Sequence, residues 1–316
     1  MRECDVQAKI VIVDESAVGQ RVDNFLVNQL KGVPHSRIYR ALRKGEVRVN
    51  KGRVQAVYKL RLGDVVRLPP LRVSETTIIR PSDRLVDCLK RSIIFENNDF
   101  IVLNKPAGLA VHAGTDVQCG LIEAFRFMRP DIKNLSLVHR LDRETSGCLL
   151  LAKNRPTLLA LQVLQKAHAI EKTYLLLVVG SWRLGKKQVS LSLSKNKLIG
   201  GERMVIADEG GKSSETLFEP IKQFEDRTLL RAKLITGRTH QIRVHVAHFN
   251  HPIIGDEKYG DRIMNKKFSE KLREKRLFLH AEKLVFTLPG QKQFVFEAPT
   301  EFVRAGVGEN ANTKNS

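Results

Sequence analysis

The sequence predicts an α+β protein built from two units. Three observations carry that expectation. A chain of 316 residues has the length of two domains at about 150 residues each. Residues 12–70 show two short amphipathic helices, a turn and a strand, enough for one small α/β core. From 91 to 300, apolar strands alternate with amphipathic helices, which implies a larger sheet with helices packed on it.

In the first stretch, Val22, Phe25, Leu26 and Leu30 recur at helical spacing. A second helix is expected from Ser36 as N-cap, through Ile38, Ala41 and Leu42, to Gly45 as its stop. Val47-Arg48-Val49 reads as a strand, Asn50-Lys51-Gly52 as a turn, and residues 62–66 as a further strand. Residues 71–90 lack periodicity and carry Pro81 shortly after Pro69-Pro70, the composition of a linker. In the larger unit, strands are expected at 100–104, 149–153, 174–179 and 228–235, and helices at 121–128, 156–167 and 239–249. The polar end, residues 306–316, is expected to be disordered.

Lys and Arg number 54 against 34 Asp and Glu, a formal charge of +20 at a pI near 10.0. Hydrophobic residues make up 42% of the chain, which rules out disorder for most of it. An excess of this size points to a polyanion, because cations bound to phosphates release counterions. No apolar run nears the ~18 residues of a membrane span, and MRECDVQAK at the start lacks the apolar core of a signal peptide. Cys4, Cys88, Cys119 and Cys148 lie far apart with no C-x-x-C, as expected of reduced thiols in the cytoplasm.

The charge is concentrated. Between Pro34 and Arg61 stand Arg37, Arg40, Arg43, Lys44, Arg48, Lys51, Arg53, Lys59 and Arg61 against Glu46 alone. A solvated helix face normally mixes its signs, and this one does not, so it reads as a phosphate footprint. Few large apolar anchors accompany these cations, which disfavours a membrane surface. With Arg21-Val22-Asp23, Ser36-Arg37, the run Lys44 to Asn50 and the close Gly63-Asp64-Val65-Val66, residues 12–70 resemble the S4 RNA-binding domain. That resemblance implies that the second helix and the turn after it lie on RNA.

Several chemical motifs fail. Gly180 to Lys187 misses a P-loop because Lys187 stands where a hydroxyl should hold magnesium. His139-Arg140-Leu141-Asp142 is split by Leu141 relative to a kinase catalytic loop, and no D-F-G is present. The run His240, His245, His248, His251 lacks H-E-x-x-H and nearby cysteines, so no metal is expected there.

The segment from Leu137 to Lys153 is different. A loop dense in charge runs straight into an apolar strand, so Asp142 sits where a strand can hold it at the mouth of a cleft. Taken singly, Arg140, Asp142, Arg143 and Glu144 would be an ordinary surface ion-pair cluster. Three further segments accompany it: Asn104 to Leu109, Glu171-Lys172-Thr173-Tyr174, and Gly237 to His245 with Gly255 to Gly260 close behind. Together with His139-Arg140-Leu141-Asp142-Arg143-Glu144-Thr145-Ser146-Gly147 they resemble the RluA-type pseudouridine synthases, across residues 95–285.

The resemblance implies a mixed, mostly antiparallel sheet with flanking helices over residues 91–300. It also implies isomerisation of uridine to pseudouridine in large-subunit ribosomal RNA or its precursor, with transfer RNA as the alternative substrate. A protein that binds RNA and has lost catalysis is the other reading, but a binder has no use for a buried carboxylate among phosphates. The N1–C1′ bond breaks and C5 joins C1′, so no atom is gained or lost and no cofactor or metal is expected. The resemblance assigns the carboxylate that meets C1′ to Asp142, its cationic partner to Arg243, and to Tyr174 the place against the uracil ring and a part in moving a proton. It places Arg140, with His139 beside it, in the space a flipped base vacates, and Leu279 at the pocket roof. A cytoplasmic monomer without membrane association is expected.

Overall fold

A computed structural model describes residues 8–30, 33–70, 80–114, 117, 119–199 and 202–300. The chain forms two compact units, Met1–Ile79 and Arg80–Ser316.

In the first unit the expected helical spacing buries Val22, Phe25 and Leu26 on α1 (Val22–Gln29) and Ile38, Ala41 and Leu42 on α2 (His35–Lys44). Both contribute to one core with Val66 and Leu68 of the sheet β1 (Lys9–Ile12), β3 (Val65–Leu68), β2 (Arg48–Val49), which is antiparallel throughout. Pro34, not Ser36, caps α2. Its ring fixes φ near −57° with extended ψ, and its carbonyl accepts the N–H groups of Arg37 and Ile38, leaving Ser36 inside the helix. Gly45 ends α2 in the left-handed region as expected. The last strand begins three residues later than expected, because Gly63, at φ +81°, is still turning.

The second unit is one large mixed sheet. Its strand order is β10 (Glu202–Ala207), β9 (Lys187–Ile199), β11 (Lys212–Gln223), β12 (Arg227–Leu234), β8 (Glu171–Val179), β13 (Leu279–Thr287), β7 (Ser146–Ala152), β5 (Phe100–Lys105), β4 (Ile93–Glu96). β14 (Gln293–Glu297) pairs with β13, and β6 (Ser136–Leu137) with β7. Of the named pairings only β13 with β7 is parallel. All seven residues of β7 are buried, the mark of a strand covered on both faces. The helices are α3 (Asp83–Arg91), α4 (Leu121–Met128), α5 (Arg155–Lys166), α6 (Gln241–His248) and α7 (Arg262–Leu272).

Residues 71–90 are not linker throughout. Ser82 accepts the N–H of Leu85 and starts α3, whose Leu89 is fully buried in the larger core. Pro81 therefore marks a helix entry. The expected disordered tail, 306–316, lies outside the described residues.

Among the described residues each unit has its own core: Phe100, Phe125 and Phe286 anchor one, Phe25 and Leu26 the other. Residues 80–316 produced alone should therefore unfold in a single cooperative thermal transition with the circular dichroism of a folded α+β protein. A molten, non-cooperative profile would show that the smaller unit completes the larger.

Candidate active site

Asp142 lies in the loop between β6 and β7, and the loop is pinned from below. Lys105, fully buried at the end of β5, donates to the carbonyls of Pro106, Leu109 and Arg143 at 2.8, 2.8 and 2.9 Å. One ammonium thus ties the segment after β5 to the Asp142 loop, and Arg143 Nε adds a bond to Gly108 O at 3.0 Å. Burial draws the Lys105 amine down to about 7, against the pull of Glu144 and Asp142. Gly147 follows at φ +108°, where a Cβ would lie 2.3 Å from Ala281 O. Only glycine lets β7 approach β13 this closely.

Arg243, in α6, is the cation at the centre. Its Nε and Nη2 bind Asp256 at 2.7 and 2.8 Å, and Nη1 is left to reach Asp142 Oδ2 at 3.1 Å. Asp256 is 1% exposed and also accepts the N–H groups of Lys258 and Tyr259. Burial works against the charge of Arg243, but Asp256 and Asp142 outweigh it and hold its pKa above the ordinary arginine value. The two-pronged carboxylate partner is therefore Asp256, whereas the contact to Asp142 is single. The sequence placed Asp256 in a neighbouring motif without giving it this task.

The loop before α6 is fixed by Gln241. Its Oε1 accepts from Thr236 Oγ1 and Arg238 N, and its Nε2 donates to Glu215 O and Thr216 Oγ1. The helix begins at Gln241, two residues later than expected, because His240 stands at φ +52°. His240 Nε2 approaches Asp142 Oδ2 to 3.7 Å, and its Nδ1 meets Tyr259 Oη at 2.8 Å. The Tyr259 ring lies 5.0 Å from the Arg243 guanidinium.

These groups open into a cavity of about 810 Å³. Tyr174, Leu279 and Arg140 all line it, as does Lys172. Tyr174 and Leu279 are buried, while Arg140 is exposed. Asp142 is the one carboxylate among the lining residues, facing Arg140, Lys166, Lys172, Arg238 and Arg243. Burial, and then Asp142, push the Tyr174 phenol above its ordinary value; burial lowers the Lys172 amine to about 8. The arrangement offers an anion to a positively charged centre inside a basic rim.

His139 lines the cavity too, and is buried there as Tyr174 and Leu279 are. It is 6% exposed, its Nε2 accepts the N–H of Leu150 at 3.3 Å, and burial holds it neutral well below its usual pKa. His139 is buried with Val138 at a bend of the loop, while Arg140 is exposed. The histidine run disperses. His245 donates to Ser214, itself bonded to Leu191 O; His251 donates to Val179 O; His248 lies edge-on to Phe249. In the smaller unit Arg40, Arg43, Lys44, Lys51 and Arg53 are exposed, but Arg37 is half-buried against Glu46 at 2.8 Å and Arg48 caps Lys51 O. The Arg21-Asp23 signature proves to be an ion pair, with Tyr39 donating to the same carboxylate.

The fold and the site define an RNA-modifying class, and comparison with known proteins identifies which. The RNA pseudouridylate synthase family model matches residues 99–248, and the S4 domain model residues 20–66. Ribosomal large subunit pseudouridine synthase C of Haemophilus influenzae is 49% identical over 283 residues, 89% of this chain and 88% of that one. The Escherichia coli protein of the same name is 48% identical over 297 residues, 93% of each. Human RNA Pseudouridylate Synthase Domain Containing 1 superposes with a TM-score of 0.57 at 26% identity, covering 71% of this chain and 87% of that one. The chain belongs to the RNA pseudouridylate synthase family and is an isomerase acting on RNA.

Two outcomes follow from the geometry. Arg243→Lys keeps a charge but cannot fork onto Asp256 and still reach Asp142. Turnover should fall at least about 100-fold and stability by about 2 kcal/mol, read by single-turnover kinetics and urea unfolding; parental values would remove Arg243 from the centre. The second concerns pH. Burial lowers His245 and His280 from 6.5 to about 4. Between those values the unfolded chain binds protons that the folded one refuses, so stability falls as pH drops, by up to about 1.4 kcal/mol per unit for each. Urea midpoints from pH 6.5 to 4.5 should show this slope, and His245→Gln should flatten it.

Proposed function

We propose that this chain converts uridines of large-subunit ribosomal RNA to pseudouridine, with Asp142 as the reacting carboxylate. The observation that carries the assignment is the asymmetry of Asp142. Its Oδ2 is held by Arg243, while Oδ1 makes no hydrogen bond among the described residues, and Asp142 lines the cavity. A flipped nucleotide would bring C1′ to that free oxygen. As the N1–C1′ bond breaks, positive character grows at C1′, and the carboxylate stabilises it or bonds to it. The detached uracil then turns until C5 faces C1′ and the new bond forms as the Asp142 carboxylate is released. The C5 proton passes to that carboxylate and N1 takes up a proton, so no atom is gained or lost.

Tyr174 supplies the wall against which the base turns. Burial and Asp142 raise the Tyr174 phenol, and the anion available in the cavity for the C5 proton is Asp142 itself, with Tyr174 beside it to help move that proton. Arg140, exposed at the rim, fills the gap left by the flipped base, and Leu279 closes the roof. Exposed cations of the S4 domain bind phosphates without reading sequence, so they set affinity more than site choice. The ribosomal substrate is supported by relatives that bear that name along nearly their whole length. Among the described residues no helix is long and apolar enough to cross a membrane; the relatives named for ribosomal RNA support a place in the cytoplasm.

Asp142→Asn removes the anion and preserves the shape. With ribosomal RNA carrying tritium at C5 of uridine, the variant should release none above background while filter-binding affinity stays within about threefold, because binding rests on the basic surface. Turnover by the Asn variant would sink the assignment. Mapping pseudouridines in ribosomal and transfer RNA, from cells with and without the gene, tests the substrate.

A further inference from the structure

The bulge in β9 opposite Val205 of β10 has a consequence at the catalytic carboxylate. Pairing of β10 with β9 shifts register between Met204 and Ile206, which takes Val205 out of the ladder. Its N–H donates instead to Tyr259 Oη at 3.1 Å. The same oxygen lies 2.8 Å from His240 Nδ1, and His240 Nε2 lies 3.7 Å from Asp142 Oδ2. Val205 is 5% exposed and packs with Leu193 and Val244, so the strand cannot withdraw its N–H to water.

The donors in this chain have one consistent arrangement. A tyrosine oxygen has a single proton to give and can accept others. Since Val205 N–H is already directed at it, the Tyr259 proton is free to go to His240 Nδ1, which places the imidazole proton on Nε2, facing Asp142. With the proton on Nδ1 instead, Tyr259 would accept twice and its own proton would have no acceptor among the described partners. The lone pair of Nε2 would then face a carboxylate. A doubly protonated ring meets the same obstacle at Nδ1. Burial, with Arg243 and Lys258 nearby, likewise disfavours the imidazolium, against the pull of Asp142.

We propose that His240 and Tyr259 are positioning residues: the Val205–Tyr259 contact locks His240 as the neutral Nε2–H form, which, with Arg243, holds Asp142 Oδ2 and leaves Oδ1 to react. This rests on Asp142 being the reacting carboxylate. His240 keeps its proton throughout and orients the anion without acting as acid or base. The 3.7 Å separation in the free enzyme closes when RNA fills the cavity, as catalytic hydrogen bonds often tighten in the substrate complex. Tyr259→Phe is an apt probe, because it removes only the hydroxyl and keeps the ring beside Arg243.

The test is a double-mutant cycle on the full-length protein, read by single-turnover tritium release from ribosomal RNA labelled at C5 of uridine. His240→Phe should slow the reaction about 30-fold, and His240→Gln, which keeps a neutral N–H at the Nε2 position, should recover to within about threefold of the parent. Tyr259→Phe should slow the parent about fivefold but change the His240→Gln enzyme less than twofold, since glutamine has no tautomer to set. RNA affinity should stay within twofold throughout. Equal costs of Tyr259→Phe in both backgrounds, or an active His240→Phe enzyme, would overturn the relay. Nitrogen-15 NMR of labelled histidines gives a second readout that needs no RNA. The signal lost in His240→Gln should show the Nε2–H form in the parent and a mixture in Tyr259→Phe; an Nδ1–H form in the parent overturns the proposal whether or not the enzyme turns over. A parent that releases no tritium would refute the assigned activity instead.

Discussion

Everything at this site depends on one buried guanidinium. Arg243 is 8% exposed, and it remains charged there because Asp256, 1% exposed, occupies two of its edges. Taking either ion out of water alone would cost several kcal/mol, and removing one partner of such a pair typically costs about 3 to 5 kcal/mol. The bidentate pair is thus a fixed post. What it leaves over is a single N–H, at Nη1, whose direction is set by the plane of the fork. That N–H meets Asp142 on one oxygen only. A lysine in the same place would be a point charge with no preferred direction, and both oxygens of Asp142 would be equivalent.

The post works only if the segments bearing Asp142, Arg243 and Tyr174 are registered to one another, and the sheet supplies that register. Tyr174 on β8 faces Ala281 on β13, and Ala281 faces Gly147 on β7. The three residues form a row across adjacent strands, with Asp142 five positions ahead of Gly147 in the chain. The parallel pairing of β13 with β7 is short, just His280 with Ser146 and Ala281 with Gly147, and a side chain at 147 would prevent it. His280 reinforces the junction through its contact with Ser146 Oγ at 2.8 Å. Lys105 and Gln241 then fasten the two loops above this row by bonds to backbone carbonyls and N–H groups, so loop positions inherit the rigidity of the strands.

The sequence was most legible where burial leaves a periodic trace. β5, β7 and β8 hold apolar runs, and α4 shows its spacing without interruption. β5 and α4 appear where expected, while β7 and β8 each begin three residues earlier, in polar or small residues that the apolar run does not mark. β9, β10 and β11 were missed because their residues are mixed with Ser, Lys and Glu, as suits strands with one wet face. α3 was hidden behind Pro81, and α7 by cations, with Phe268 its one fully buried anchor. The segments of the site were all legible as motifs. Their atom-level pairing was not: a motif says that Asp256 and Arg243 are near the chemistry, but only the turn at Asp256 and the start of α6 decide that they bind each other. How His139 packs was not legible for the same reason, since the facing of a loop residue is set by its neighbours in space.

The distribution of charge joins the fold to the partner. The acids that matter structurally are withdrawn from the surface. Asp23 is engaged by Arg21 and Tyr39, Asp64 by Asn50, Tyr58 and the Arg61 N–H, and Asp256 by Arg243 and two backbone N–H groups. Glu96 accepts from both Arg129 and Lys153. Each of these carboxylates fixes a helix start, a turn or a strand end, and so does little to offset the cations outside. Arg40, Arg43, Lys44 and Lys51 stand exposed on α2 and the turn that follows β2. Asp23, Asp256 and Glu96 are matched by Arg21, Arg243, Arg129 and Lys153. They therefore leave the exposed cations of α2 and the turn after β2 without acidic partners of their own among the described residues, and it is these cations that a polyanion meets.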